Sequence, residues 1–303
     1  MSLPIGATYS APVPHGRTAR RLTWEFLPPG LRQQIEQRLG SPVASHASQD
    51  AGFTPGFASL LTGTDGSQVF VKAASRVAQA PFAAAYAEEG RKLRLLDGVV
   101  PAPRLLWSLD DEWVVLGIEA VPHHRPQRPW VEDELVRALD AVEEIADRTT
   151  EVPAGLRLTR VYDDQPQLLT GWQTVAALEP DWPHLTESAA LARSLSDVPA
   201  DRFVHADLRD DNILLADDGR TLVCDWNWPG LGPAWLDLVT LLVIAHGDGI
   251  DAEAHLAARA LTRDVPPEHV DAWLAAIAGF MMEMRERPSP SSSPYLQTHT
   301  FWT

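Results

Sequence analysis

One short stretch constrains this chain more than any other. It runs from His205 to Asn212 with the pattern H-x-D-L-x-x-x-N, and Asp225 follows thirteen residues later. The apolar run 213–215 comes directly after it, and a Gly-containing turn leads to a second apolar run at 221–224. Two such runs around a turn predict a β-hairpin. We expect this hairpin to bring the polar residues of the motif and Asp225 to one end.

The residue types and spacing of this motif are typical of phosphoryl transfer. That chemistry needs a carboxylate to orient the acceptor hydroxyl, and Asp207 supplies one. It also needs hard oxygen donors for magnesium, which Asn212 and Asp225 supply. The alternative is that these side chains only stabilise turns, as Asp and Asn often do. Turn chemistry does not explain the spacing, so we favour the catalytic interpretation.

A lysine upstream fits the same chemistry. Lys72 ends the predicted strand 69–72, where its ammonium could reach the phosphates of a nucleotide. A carboxylate is then needed to hold the lysine in place. Glu88 and Glu89 are the candidates, because they are the only acids in the following predicted helix before Asp97.

With these residues in view, the chain resembles a known family. Residues 205–237, with Lys72 and Glu89 upstream, are similar to the aminoglycoside phosphotransferase-like branch of the protein-kinase-like fold, which also contains choline kinases. The resemblance extends from about residue 50 to residue 285. It implies an α+β, two-lobed protein-kinase-like fold with a small β-rich N-terminal lobe and a larger helical C-terminal lobe.

The resemblance also implies roles for individual residues. Glu89 matches the acid of the family's E-x-x-x-L-x-x-L helix and would pair with the lysine. The Glu119 carbonyl and the Val121 amide, in the linker between lobes, would bind the edge of adenine. Asp237 would support the catalytic loop through its backbone, and His205 would brace that loop rather than take part in chemistry.

The chain departs from the related patterns in several places. Ala206 replaces the arginine of protein kinases, which argues against regulation by phosphorylation. The segment 51–59 contains two glycines but no G-x-G-x-x-G pattern, so it predicts either a phosphate-covering loop or a plain turn. Asp210 and Asp211 could meet a cationic substrate or cap a turn. Arg209 could stabilise the transferring phosphate or form a surface ion pair.

Three further residues near Asp225 carry weaker expectations. Cys224 is expected to be a small buried residue beside the site, and as the single cysteine it excludes an internal disulfide. Trp226 and Trp228 could form a wall of the site, but buried core positions are the default for tryptophan.

The distribution of predicted elements divides the chain. Residues 1–20 are expected to form a loose leader, 21–120 the N-terminal nucleotide-binding lobe, and 121–303 the C-terminal catalytic and substrate-binding lobe. A strand-rich first part followed by a helix-rich second part is typical of an α+β protein.

The composition and charge of the chain limit its expected binding partners and cellular location. The formal net charge of −16 disfavours binding to nucleic acid or anionic membranes and suits a cationic small-molecule partner, although composition alone favours a solvated acidic surface. The longest apolar run is too short to span a bilayer, and the first residues have no secretory pattern. We therefore expect a cytoplasmic protein.

Together these observations predict an ATP- and Mg²⁺-dependent phosphotransferase acting on a hydroxyl of a small molecule. An aminoglycoside-like antibiotic or amino sugar is the first expected acceptor. Two alternatives remain open. One is a kinase of a small amino alcohol resembling choline or homoserine, and the other is a non-catalytic nucleotide-binding module.

Overall fold

The computed structural model describes residues 21–49, 56–288, 291 and 293–303. The predicted leader 1–20 and most of the glycine-containing segment, residues 50–55, lie outside this part. The helices of the described residues are α1 Pro29–Leu39, α2 Ala80–Leu96, α3 Glu132–Arg148, α4 Val161–Asp164, α5 Gln167–Leu178, α6 Leu185–Ser194, α7 Leu236–Gly247, α8 Ala252–Ala258, α9 Pro267–Arg285 and α10 Leu296–Trp302.

The first half of the chain forms a five-stranded antiparallel sheet with the order β1-β2-β3-β5-β4. Its strands are β1 Val43–Ser48, β2 Phe57–Gly63, β3 Gln68–Ser75, β4 Leu105–Asp110 and β5 Trp113–Glu119. Asp65 and Gly66 lie in the turn between β2 and β3, and Gly66 takes the left-handed backbone conformation (φ 85°) that the turn requires.

The two faces of this sheet pack against different helices. Side chains alternate along a strand, so Val69 and Val71 of β3 join the core under α1. Phe70 lies on the opposite face, in the cluster that contains Tyr86 and Leu93 of α2. Lys72 shares the parity of Phe70, and strand periodicity therefore directs it toward α2.

The second half of the chain is mainly helical. Helices α3 and α7 pack together beside the hairpin predicted for residues 213–224, here called the catalytic hairpin after the predicted role of the motif, and Leu139 and Leu241 are fully buried there. Helices α5, α6 and α9 form a second bundle, in which Trp172 and Trp273 are buried. Among the described residues, no helix combines the length and apolar character needed to cross a bilayer.

Two small sheets carry the motif. Strands β8 (Ile213–Ala216) and β9 (Thr221–Val223) form the predicted antiparallel hairpin, and β6 (His123–His124) pairs with β8. Strand β7 (Arg202–Val204) pairs with β10 (Gly230–Gly232). The five-stranded sheet ends at Glu119, and the next strand, β6, pairs with the hairpin instead.

The architecture confirms the predicted fold class. A small antiparallel sheet with one helix on each face precedes a larger helical part, and the motif lies on the hairpin between them.

Candidate active site

A cleft between the sheet and the catalytic hairpin contains most of the residues that the sequence selects. We call it the interlobe cleft. Its lining residues are Arg21, Gln49, Ala58, Leu60, Phe70, Lys72, Tyr86, Glu89, Leu93, Pro103, Ile118, Glu119, Ala120, Val121, His123, Arg125, Asp211, Asn212, Leu214, Cys224 and Asp225. The lining combines apolar side chains with charged ones, which suits a molecule with a flat apolar part and an anionic part.

Several charged groups of the cleft are organised around Lys72. Its Nζ lies 2.7 Å from Oε1 of Glu89 and 3.2 Å from Oδ1 of Asp225. The Glu89 side chain is 1% exposed. Burial alone would lower the pKa of Lys72, but the charges of Asp225 and Glu89 outweigh it and hold that pKa above its ordinary value. Lys72 is therefore a fixed cation at the floor of the cleft.

Glu88, the acid next to Glu89 in the sequence, has a different environment. Glu88 is half exposed and pairs with Arg91, three residues along the same helix, at 2.7 Å. The helical turn of about 100° per residue places these two consecutive acids on different faces of α2. The structure thus brings Glu89, and not Glu88, to Lys72.

The catalytic loop is held through its backbone. Asp237, near the start of α7, accepts hydrogen bonds from the backbone N–H of His205 (2.7 Å) and of Ala206 (2.9 Å). Ala206 has a φ of 64°, a strained conformation for a residue with a side chain. His205 is fully buried; its Nε2 lies 3.0 Å from the carbonyl oxygen of Cys224, which leaves Nδ1 facing the N–H of Asp207 at 3.3 Å.

Asp207 lies at the end of this loop with its side chain about one-third exposed (32%). Arg209 donates from NH1 to Oδ1 of Asp207 at 2.5 Å, and its Nε contacts Asp211 at 3.0 Å. Burial raises the pKa of Asp207 to about 6, against the opposing charge of Arg209. At neutral pH this carboxylate is ionised and close to its titration range, as suits a proton acceptor.

Asn212 and Asp225 provide the oxygen atoms that could hold a metal. Asn212 donates from Nδ2 to the carbonyl oxygen of Asp207 at 2.8 Å and lines the cleft. Burial would raise the pKa of Asp225, but Lys72 lowers it to about 2, so its carboxylate is anionic at neutral pH. Within the described part of the chain, no three His, Cys, Asp or Glu side chains converge on one point. One carboxylate and one amide oxygen fit Mg²⁺, which takes its remaining ligands from water and phosphate.

The residues of the predicted adenine-binding linker belong to the lining of the cleft. Glu119 and Val121 both line it, together with Ala58 and Ile118. The Glu119 side chain turns away to Arg104, whose Nε lies 3.2 Å from it.

The structure also shows why one of the two glycines of segment 51–59 has no side chain. A Cβ at Gly56 would lie 2.5 Å from the hydroxyl oxygen of Tyr86. Close packing against Tyr86 thus explains this glycine without any contact to phosphate. Gly52 lies outside the described residues.

The acids beside the catalytic loop are paired with arginines. Asp210 accepts from Arg128 at 3.1 Å, and Asp248 accepts from the same guanidinium at 2.5 and 3.0 Å. Asp211 is paired with Arg209 as described above. The Arg128 guanidinium also stacks 5.2 Å from the ring centre of Trp302 in α10. Sequence analysis did not find Arg128, because nothing near it in the chain marks a residue that contacts positions 82 and 120 residues away.

The residues around Asp225 give one correction. Trp226 is fully buried, stacks on Phe203 and donates to the carbonyl of Val223, as expected for a core tryptophan. Trp228 is 61% exposed, so its expected core position is wrong; it lies in the irregular segment before β10. Cys224 lines the cleft, and burial raises the pKa of its thiol to about 12, so it is unreactive.

Two polar residues near Asp225 were also missed. Asn227 donates from Nδ2 to Oδ1 of Asp225, and its backbone carbonyl accepts from Nζ of Lys92 at 2.6 Å. Asn227 stands two residues after the metal-type aspartate in the motif, which was an available signal. No sequence signal marked Lys92, since a lysine in an amphipathic helix usually faces water.

The sheet, the helical part and the cleft between them make up a two-lobed fold of the protein-kinase-like type. Solved structures share this fold. A macrolide 2'-phosphotransferase from Brachybacterium faecium is 17% identical, with 84% of this chain and 90% of that chain covered and a TM-score of 0.58. An aminoglycoside phosphotransferase from Alicyclobacillus acidocaldarius is 14% identical (86% and 87% covered, TM-score 0.56). A choline kinase from Streptococcus pneumoniae is 15% identical (90% and 97% covered, TM-score 0.57).

At these identities the likeness establishes the fold alone. The family follows from the sequence, since a model of the phosphotransferase enzyme family matches residues 56–279. This chain belongs to that family. A comparison with curated protein sequences finds no match.

Proposed function

We propose that this protein transfers the γ-phosphate of ATP, with Mg²⁺, to a hydroxyl group of a small molecule. The observation that carries the proposal is the position of Lys72, 2.7 Å from Glu89 and 3.2 Å from Asp225. Three residues from distant parts of the chain thus form one charge cluster in the lining of the cleft, with Glu89 buried and Lys72 and Asp225 partly exposed. A structural ion pair would not need the catalytic loop beside it.

In this proposal each side chain has a defined task. Lys72 binds the phosphates, held by Glu89, and the backbone of Glu119 and Val121 binds the adenine edge. Asp207 orients the acceptor hydroxyl and accepts its proton as the oxygen attacks the γ-phosphorus and the bond to ADP breaks.

Asn212 and Asp225 would hold magnesium, and Arg209 keeps Asp207 in place until the acceptor binds. When bound, the metal supplies neutralising charge for the phosphate oxygens. His205 and Asp237 support the catalytic loop without touching the reactants.

The test is ATP consumption with Mg²⁺ against a panel of aminoglycosides, other hydroxylated antibiotics, choline, homoserine and simple sugars. We expect turnover on one class. Asp207→Ala should lower kcat by about 10²- to 10⁴-fold, the usual range for a general base, while ATP still binds. Turnover within tenfold of the unsubstituted enzyme would contradict the role of Asp207. Absence of ATP binding would contradict the proposal as a whole.

One observation favours a small amino alcohol over an aminoglycoside-like acceptor. The acids beside Asp207, namely Asp210, Asp211 and Asp248, are already paired with arginines. Burial lowers the pKa of His299, near Arg209 and Asp211, to about 4, so this histidine is neutral at pH 7. A polycationic aminoglycoside would have to displace these pairs. An acceptor with no charge or one charge, such as a small amino alcohol, would not.

A further inference from the structure

Helix α2 contacts the segment around Asp225 at a second point besides Glu89. Lys92, three residues after Glu89, is 8% exposed. Its Nζ donates to the backbone carbonyl of Asn227 at 2.6 Å, and the nearest carboxylate, Glu88, lies farther away at 3.7 Å. A buried ammonium is costly unless it is hydrogen-bonded. The carbonyl of Asn227 therefore fixes the position of this lysine.

Asn227 passes this restraint to Asp225. Its side-chain Nδ2 donates to Oδ1 of Asp225 and lies 3.5 Å from Oε2 of Glu89. Its backbone N–H donates to the Asp225 carbonyl oxygen at 2.9 Å. One residue thus contacts the aspartate through both its backbone and its side chain, and contacts α2 as well.

Asp225 requires such support because its backbone is strained. Its φ is 65°, in the left-handed region, which a residue with a side chain occupies only when its surroundings hold it there. The next residue, Trp226, is anchored in the core by its stacking on Phe203. The contacts from Lys92 and Asn227 hold the same segment against α2.

We propose that Lys92 and Asn227 are positioning residues that hold the Asp225 carboxylate where it binds the metal. This tether makes the metal site depend on the position of α2, independently of the Lys72–Glu89 pair. The inference rests on the proposed function, in which Asp225 is a magnesium ligand. Partners that orient a metal ligand typically contribute about 10- to 100-fold to metal affinity.

The test measures ATP binding by the full-length protein by calorimetry, once with Mg²⁺ and once with EDTA. The quantity of interest is the gain in ATP affinity that Mg²⁺ provides. We expect Lys92→Met and Asn227→Ala to reduce this gain about tenfold and to leave metal-free binding unchanged. Lys92→Arg, which keeps a donor, should retain part of it.

Two further variants serve as controls. Arg94→Met removes a cation from the same helix. Arg94 contacts Gly90 and Ser108, away from Asp225, so this variant should keep the full gain in ATP affinity from Mg²⁺. Asp225→Asn should abolish the gain.

The outcomes separate the two proposals. If the unsubstituted protein shows no gain, or Asp225→Asn keeps it, the metal role in the proposed function is wrong. If Asp225→Asn loses the gain but Lys92→Met and Asn227→Ala keep it within twofold, the tether is wrong, even if their melting temperatures fall. Should Lys92→Met not fold, Asn227→Ala decides alone.

Discussion

At the scale of single residues, the site is a set of buried and partly buried charges whose protonation the surroundings control. Asp207 and Asp225 are both aspartates, yet burial raises the pKa of the first to about 6 and Lys72 lowers that of the second to about 2. Environments that push the pKa values of two carboxylates apart are typical of divided catalytic roles. One group can then exchange a proton while the other stays anionic.

This difference in pKa between Asp207 and Asp225 predicts how kcat/KM depends on pH. Asp207 must be deprotonated to accept a proton, so kcat/KM should fall as the pH drops through about 6, approaching tenfold per unit below it. Asp225 and His299, with pKa values of about 2 and about 4, do not titrate in that range. Steady-state rates between pH 5 and 9 with the acceptor found in the panel would measure this. ATP affinity over the same range is the control, and an acid limb centred below pH 5 would refute the assignment.

At the scale of elements, close helix contacts fix the C-terminal half. Helices α5 and α9 approach at two glycines: a Cβ at Gly171 would lie 2.4 Å from the carbonyl oxygen of Gly279. The obstructing atom is backbone, so it cannot rotate away. The two helices would have to separate to admit even one methyl group.

Gly171→Ala should therefore destabilise the protein by about 1–3 kcal/mol, the usual cost of overpacking. Gly30, in α1, is the matched control because a Cβ there meets nothing within 4 Å. Gly30→Ala should be neutral or slightly stabilising. Urea unfolding of both variants would measure the free energies of unfolding. Equal values for the two would show that the contact between α5 and α9 relaxes without cost.

At the scale of the whole molecule, the net charge of −16 gives little guidance about the acceptor. Several acids of the C-terminal part of the chain are engaged locally. Asp248 pairs with Arg128, Glu283 with Arg287, and Glu286 with Arg285. The overall acidity is thus not concentrated as free carboxylates beside Asp207.

This arrangement predicts a weak dependence on salt. KM for the acceptor should change by less than about twofold between about 0.05 and 0.3 M KCl, because a neutral or singly charged molecule gains little from screened charges. A polycationic acceptor would show a rise of about tenfold or more. The affinity for ATP, measured over the same range, separates effects on the nucleotide from effects on the acceptor. A steep rise in KM for the acceptor alone would restore the aminoglycoside-like candidate.

Much of the fold could be predicted because its signals are local. Alternating apolar residues and Asp65-Gly66 specify the β2–β3 hairpin, and the motif spacing specifies the catalytic hairpin. The choice of Glu89 over Glu88 also followed from helical geometry and the family pattern. These features depend on side chains a few residues apart, where backbone periodicity determines direction.

The sequence by itself thus determined the two-lobed fold and which residues could carry phosphoryl transfer. Only the tertiary structure decided how those residues are constrained. The pairing of Arg128 with Asp210 and Asp248, the exposure of Trp228, and the contact of Lys92 with Asn227 all join distant parts of the chain. Such contacts result from how whole elements pack, and a long charged side chain has many possible partners until packing leaves it one.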